Sequence, residues 1–240
     1  MNRRRPTAVL FDLGNTLASY YYAEQFQPVL EAGVRNGLDE LRRRELAPID
    51  VITAVDTART LNREAADLSV CPLAERLRQV FALGATVDDE LIAALCERFL
   101  APIFALGRRA EDALPTLANL RAAGFSTAIV SNTPWGSPAH LWRAELARLG
   151  LLEAVDATVF CVDVGWRKPA RVIFEHAAER LSVGADACCF VGDDLQWDVE
   201  GAVAAGMNAV LLDRDERYPG YTGAKARDLW DVVRWIEREA

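Results

Sequence analysis

The chain has 240 residues, 51% hydrophobic and 26% charged, which supplies a full globular core and excludes a disordered or low-complexity protein. A formal net charge of −8 argues against a broad surface for nucleic acid or anionic membrane, while leaving room for an anionic small molecule if positive charge gathers in a pocket. No segment approaches the ~20 apolar residues of a membrane span, and Met1-Asn-Arg-Arg-Arg-Pro6 lacks an apolar secretory core. A soluble cytoplasmic protein, monomeric or homodimeric, is expected. Cys71, Cys96, Cys161, Cys188 and Cys189 show no CxxC spacing, and Cys188-Cys189 lie in an apolar run, so buried thiols are expected rather than ligands or disulfides.

Ala8-Val-Leu-Phe11 suits a buried parallel strand and delivers Asp12 to its C-terminal end, where ligands gather in open α/β sheets. From Tyr20 to Leu46 one apolar stripe (Phe26, Val29, Leu30, Val34, Leu38, Leu41) predicts a helix. Ile52, Val55 and Leu61 predict a second. Thr86 with Asp89 reads as a capping box opening a third, which carries Leu91, Leu95 and Phe99. No convincing strand interrupts this block.

From about residue 110 helix and strand alternate. Helices are predicted over 115–123, 140–149, 170–180 and 196–205, with strands over 126–130, 157–161, 187–191 and 208–212 and a closing helix carrying Leu229, Val232, Val233 and Ile236. Strict alternation implies a parallel sheet covered on both faces. The expected fold is α/β: a doubly wound parallel sheet built from 1–17 and 105–240, with an α-helical cap domain, 18–104, inserted after the first strand.

The strand ends carry the chemistry. Asp12 opens the first loop; Ser131-Asn132-Thr133 follows the second core strand. Gly165-Trp-Arg-Lys168-Pro169 precedes a helix, and Gly192-Asp193-Asp194 leads to Asp198. Singly, each fits a turn residue, a surface lysine or a helix cap. In a parallel sheet they share one edge, so Asp12, Ser131, Lys168 and Asp193 converge.

The ordered set Asp…Ser…Lys-Pro…Gly-Asp-Asp-(x)3-Asp resembles the haloacid dehalogenase superfamily of aspartate-nucleophile hydrolases, and Phe-Asp-Leu-Gly-Asn with Val-Ser-Asn-Thr is most similar to its phosphatase-like members. The resemblance implies a Rossmann-like core under a helical cap and hydrolysis of a small phosphorylated metabolite with Mg²⁺. Asp12 would be the nucleophile and form an aspartyl-phosphate, with Lys168 neutralising charge on nucleophile and phosphate. Leu13, Gly14, Ser131, Asn132 and Lys168 would bind the phosphate. Asp12, the Gly14 carbonyl and Asp193 would hold the metal, Asp198 would hold Lys168, and Asp194 would orient a water. Tyr20-Tyr21-Tyr22, Trp135, Trp166 and Trp197 are candidate pocket lining beside packing roles. Arg108-Arg109 reads as surface or hinge, and His140 and His176 fit no motif.

One position departs from the pattern. Superfamily phosphatases usually carry a second Asp two residues after the nucleophile, as general acid and base; here it is Gly14. That acid is worth roughly 10²–10⁴ in rate, so metal and positioning would still carry most of the catalysis. A 2-haloacid dehalogenase using the same Asp12, and a non-catalytic phosphate-binding module, stand as alternatives.

Overall fold

The computed structural model describes residues 5–46, 48–63, 65–84 and 87–239. In chain order these form β1 (Ala8–Phe11), β2 (Ala18–Ser19), α1 (Phe26–Arg43), α2 (Val51–Leu61), α3 (Leu73–Val80), α4 (Asp89–Leu106), β3 (Arg108–Arg109) and α5 (Ala113–Ala122). There follow β4 (Ser126–Ser131), α6 (Ala139–Arg148), β5 (Ala157–Phe160), α7 (Cys161–Val164), α8 (Arg171–Arg180) and β6 (Cys188–Gly192). The chain closes with α9 (Gly201–Ala204), β7 (Asn208–Leu212), β8 (Lys225–Ala226) and α10 (Leu229–Glu239).

Six strands make one parallel sheet in the order β5-β4-β1-β6-β7-β8. β1 is central, its residues 8–11 paired with 126–129 on one side and 188–191 on the other. Connectivity reverses at β1, which makes its C-terminal end the topological switch point where open sheets bind ligands.

The period-two alternation of strand side chains splits the core in two. Val9, Phe11, Ile129, Val191 and Val210 face α5, α6 and α10, whereas Ala8, Leu10, Val130, Phe190 and Leu211 face α8 and α9. Both faces are therefore covered, and the expected α/β doubly wound sheet is what the chain forms.

Between β2 and β3 the described residues contain α1 to α4 and an isolated bridge of Ser69 to Trp166. β2 and β3 pair antiparallel, so the points where the chain leaves and returns lie side by side. α1 buries Leu30, Val34, Leu38 and Leu41 at helical spacing, as its stripe predicts. The Tyr20–Tyr22 run lies before that helix. α2 buries Ala54, Val55 and Ala58, while Ile52 is 69% exposed: the buried face is built from alanines, whose small side chains give little hydrophobic signal. α4 is capped by Asp88, whose side chain accepts from the Leu91 amide at 2.7 Å; Thr86 lies outside the described residues, as do residues 1–4. The helical block is not packed apart from the sheet, since its apolar residues and one sheet face form a single buried cluster.

Two sequence boundaries move for physical reasons. The predicted strand 157–161 ends at Phe160, where Asp163 caps the Phe160 amide and starts α7. The predicted helix 196–205 opens instead with a wide π-type turn, Leu195–Glu200, in which the Val199 amide reaches back to the Asp194 carbonyl at 3.3 Å. No helix among the described residues is long and apolar enough to cross a membrane. All five cysteines are free; four are buried and Cys71 is half-buried.

Candidate active site

Asp12 leaves β1 with its amide still donating to the Val191 carbonyl at 2.9 Å, so its side chain emerges between β4 and β6. The next turn is tight: the Leu13 carbonyl accepts from the amides of Leu17 and Ala18 at 3.0 and 2.9 Å, and Leu13 is buried. Asn15, rather than Gly14, takes the left-handed backbone, with φ +53°.

Lys168 is the centre of the charge arrangement. Its ammonium, 2% exposed, donates to Asp12 Oδ1 and to Asp198 Oδ1, each at 2.6 Å. Ser131 Oγ donates to the same Asp12 oxygen at 2.9 Å. Burial alone would lower the Lys168 pKa; Asp12 and Asp198 outweigh it and hold the group above its ordinary value. Asp12 Oδ1 is thus fixed by two donors, while Oδ2 takes no hydrogen bond from the described residues.

Asp198 reaches Lys168 because the wide turn after β6 folds it back, its other oxygen accepting from the Asp194 amide at 3.1 Å. A Cβ on Gly192 would collide with that side chain, so only glycine lets the strand end pass beside Asp198. Asp194 caps the same turn, accepting from the amides of Gln196 and Trp197 at 2.9 and 2.8 Å. Its carboxylate is committed to this cap.

Asp193 is the third carboxylate. Ligand oxygens of Asp12, Asp193 and Asp198 all lie within 4.8 Å of one another. Burial, with the Asp12 charge, pushes the Asp193 pKa up to about 6 against the pull of Arg217. Burial and Asp12 likewise raise Asp198, against Lys168. Arg217 donates to Asp193 Oδ2 at 2.7 Å, and the Asn15 amide group reaches the same oxygen at 3.4 Å. Nothing in the sequence marks Arg217, which lies in the irregular segment between β7 and β8.

Asn132 joins the cluster differently from the other predicted phosphate residues. Its side chain accepts from the Lys168 amide at 2.8 Å and donates to the Lys168 carbonyl at 3.2 Å, tying two site loops together. A cleft of about 430 Å³ opens over Asp12, Gly14, Ser131, Lys168 and Asp193. Tyr21, Trp135 and Trp197 line it, whereas Tyr20, Tyr22 and Trp166 do not. Arg108 and Arg109 bond backbone carbonyls of residues 105, 107 and 149 and stand away from the cleft. His140 is exposed and His176 half-buried on helices outside it. Leu13 is buried in the core and does not line the cleft.

Residues 6–206 match the family model for haloacid dehalogenase-like hydrolases. The chain belongs to that family. It is 34% identical to the ribulose-1,5-bisphosphate 5-phosphatase of Halopiger xanaduensis over 88% of this chain and 86% of that one. It is 32% identical to a glyceraldehyde 3-phosphate phosphatase of Methanopyrus kandleri over 65% and 70%. A haloacid dehalogenase-like phosphatase from Thermococcus onnurineus superposes with a TM-score of 0.67 at 25% identity, covering 96% of this chain and 97% of that one. A 2-haloacid dehalogenase from Pseudomonas syringae shares the fold with a TM-score of 0.70 at 24% identity, covering 98% and 100%. As a family member the chain is a hydrolase.

Proposed function

We propose that the protein is a Mg²⁺-dependent phosphohydrolase that acts on a small phosphorylated metabolite through an aspartyl-phosphate on Asp12. One observation carries this reading: three carboxylates, Asp12, Asp193 and Asp198, crowd a site in which Lys168 and Arg217 are the cations paired with them among the described residues. The surplus negative charge, borne by hard oxygens, suits a small divalent cation. Asp12, the Gly14 carbonyl and Asp193 would hold Mg²⁺, which supplies charge neutralisation at the phosphoryl oxygens. Asp198 is spent on Lys168 and on the Asp194 amide, and so serves as a positioning residue.

Asp12 Oδ2 attacks phosphorus as the ester P–O bond breaks, and the departing alkoxide takes its proton from solvent, since Gly14 provides none. Water then attacks phosphorus, freeing inorganic phosphate and restoring the carboxylate. Lys168 and Ser131 hold Asp12 in line, and Lys168 offsets charge on the phosphoryl group. Residues 18–104 act as the cap, with the β2–β3 ribbon as its attachment. The relatives named glyceraldehyde 3-phosphate phosphatase and ribulose-1,5-bisphosphate 5-phosphatase support a small phosphorylated metabolite as the substrate.

Phosphate release from a panel of phosphomonoesters, with Mg²⁺ and with excess chelator, tests the reading. Turnover only with the metal is expected. Undiminished activity in chelator, with halide release from 2-haloacids, would replace it by a dehalogenase.

A further inference from the structure

We propose that the substrate is a phosphomonoester whose alcohol carries no second anionic group, a small neutral alcohol with a flat or apolar body, selected by a wall of Tyr21, Phe26 and Trp135. The inference rests on the phosphohydrolase reading and narrows its substrate.

The cleft over Asp12 has two unlike sides. Beside the charged cluster the lining includes Tyr21, Phe26 and Trp135; among the described residues the helical block's polar groups there are the uncharged Tyr21 hydroxyl and the Asn62 amide. Behind the same three rings lies a smaller cavity of about 10 Å³, closed by Phe99 and Ile103. The wall is preformed. Trp135 is 4% exposed and holds φ +62°, a conformation unfavourable for a bulky side chain. Its ring is pinned edge-on by Phe99 at 5.3 Å and under the Arg76 guanidinium at 5.7 Å. A Cβ on the next residue, Gly136 at φ +63°, would strike the Cys71 carbonyl, so the loop carrying Trp135 is held closely against the helical block.

Every described cation around the nucleophile is committed. Lys168 bridges Asp12 and Asp198; Arg167 donates to the Thr133 carbonyl at 3.2 Å and lies over Trp197 at 5.4 Å. An adjoining cleft of about 910 Å³, which shares Tyr21 and Asp193, does not relieve this. There Arg217 is on Asp193 and Arg214 is bidentate on Asp112, both bonds 2.9 Å, and Glu111, Asp215 and Asp228 add negative charge. A second carboxylate or phosphate on the substrate would lose its water against aromatic rings, or meet acidic residues and arginines already paired with Asp193 and Asp112.

The test is a matched pair of primary benzylic esters that differ in one remote charge: benzyl phosphate and its 4-carboxylate, each assayed with Mg²⁺. The expected result is a kcat/KM about 10- to 100-fold higher for benzyl phosphate, the range of discrimination a desolvating pocket gives. Asn62→Arg, at an exposed position, places a cation on the wall and should cut that preference by about tenfold. Equal turnover of the pair, or a preference for the carboxylate, overturns the inference while leaving phosphohydrolase activity intact. A preference that Asn62→Arg leaves unchanged overturns the wall as its source. No turnover of any phosphate ester defeats the phosphohydrolase reading, and this inference with it.

Discussion

The Arg217 guanidinium donates to both the carboxylate and the backbone carbonyl of Asp193, at 2.7 and 2.6 Å. It therefore neutralises, from outside the four sequence motifs, the carboxylate proposed to bind the metal. Arg217 is 45% exposed, so solvent screens the pair and its worth is about 1 kcal/mol. Arg217→Gln should tighten Mg²⁺ binding by about 3- to 10-fold in calorimetric titration, because the cation no longer competes for Asp193. Weaker binding in the variant would mean that Arg217 orients the ligand instead of opposing the metal.

The raised pKa of Asp193, about 6, has a consequence for stability. The folded carboxyl holds its proton more tightly than the unfolded one, so the group favours folding while protonated. That contribution is full below the unfolded value near 3.8 and is lost as pH rises through about 6. In metal-free protein Asp193→Asn should remove this loss, raising the thermal midpoint at neutral pH by a few degrees, about 1–2 kcal/mol, with little change near pH 4. Scanning calorimetry at the two pH values checks it; a variant destabilised equally at both would contradict the assignment.

Lys168 and Asp198 separate catalysis from packing. Lys168→Ala leaves two buried carboxylates without their cation and should cost about 3–5 kcal/mol together with at least ~10³ in turnover. Asp198→Asn keeps the ammonium on Asp12 and should cost only about 10- to 100-fold in kcat. Adding Asp198→Asn to Lys168→Ala should recover part of the lost stability and none of the activity. Chemical denaturation and phosphate release on the three variants distinguish these effects.

Gly14 is sterically open. Its backbone lies outside the left-handed region, and a Cβ there would meet no atom within 4 Å; the left-handed residue in this loop is Asn15. Gly14→Asp should therefore fold and bind Mg²⁺ as the parent does. It should raise turnover of alkyl phosphates by up to ~10²–10⁴ while barely changing activated aryl esters. A parent enzyme whose rate is already independent of leaving-group pKa, with chemistry rate-limiting, would show that another group supplies the proton.

The convergence of Asp12, Ser131, Lys168 and Asp193 was readable because alternating helix and strand sends every core strand in one direction, and the motif residues sit at strand ends. What escaped the sequence was whatever depends on irregular backbone. Arg217 reaches Asp193 from a coil segment with no periodicity. Asp194 turned out to cap the π-type turn, and Asn132 to brace the Lys168 backbone, since amide and carboxylate groups beside free amides bond locally. α3 went unread because its buried face, Leu73, Arg76, Leu77 and Val80, includes a charged residue that interrupts the apolar stripe. Arg76 spends that charge on the carbonyls of Leu61 and Cys71 and on the face of Trp135.

The covalent role of Asp12 is tested most directly by acid-quenching the enzyme during turnover with Mg²⁺ and reducing the trapped acyl-phosphate with borohydride. An aspartyl-phosphate would be converted to homoserine at position 12, and Asp12→Asn would show neither homoserine nor turnover. An unmodified Asp12 peptide from enzyme quenched under conditions where the intermediate accumulates, or normal turnover by Asp12→Asn, would contradict nucleophilic attack by this residue.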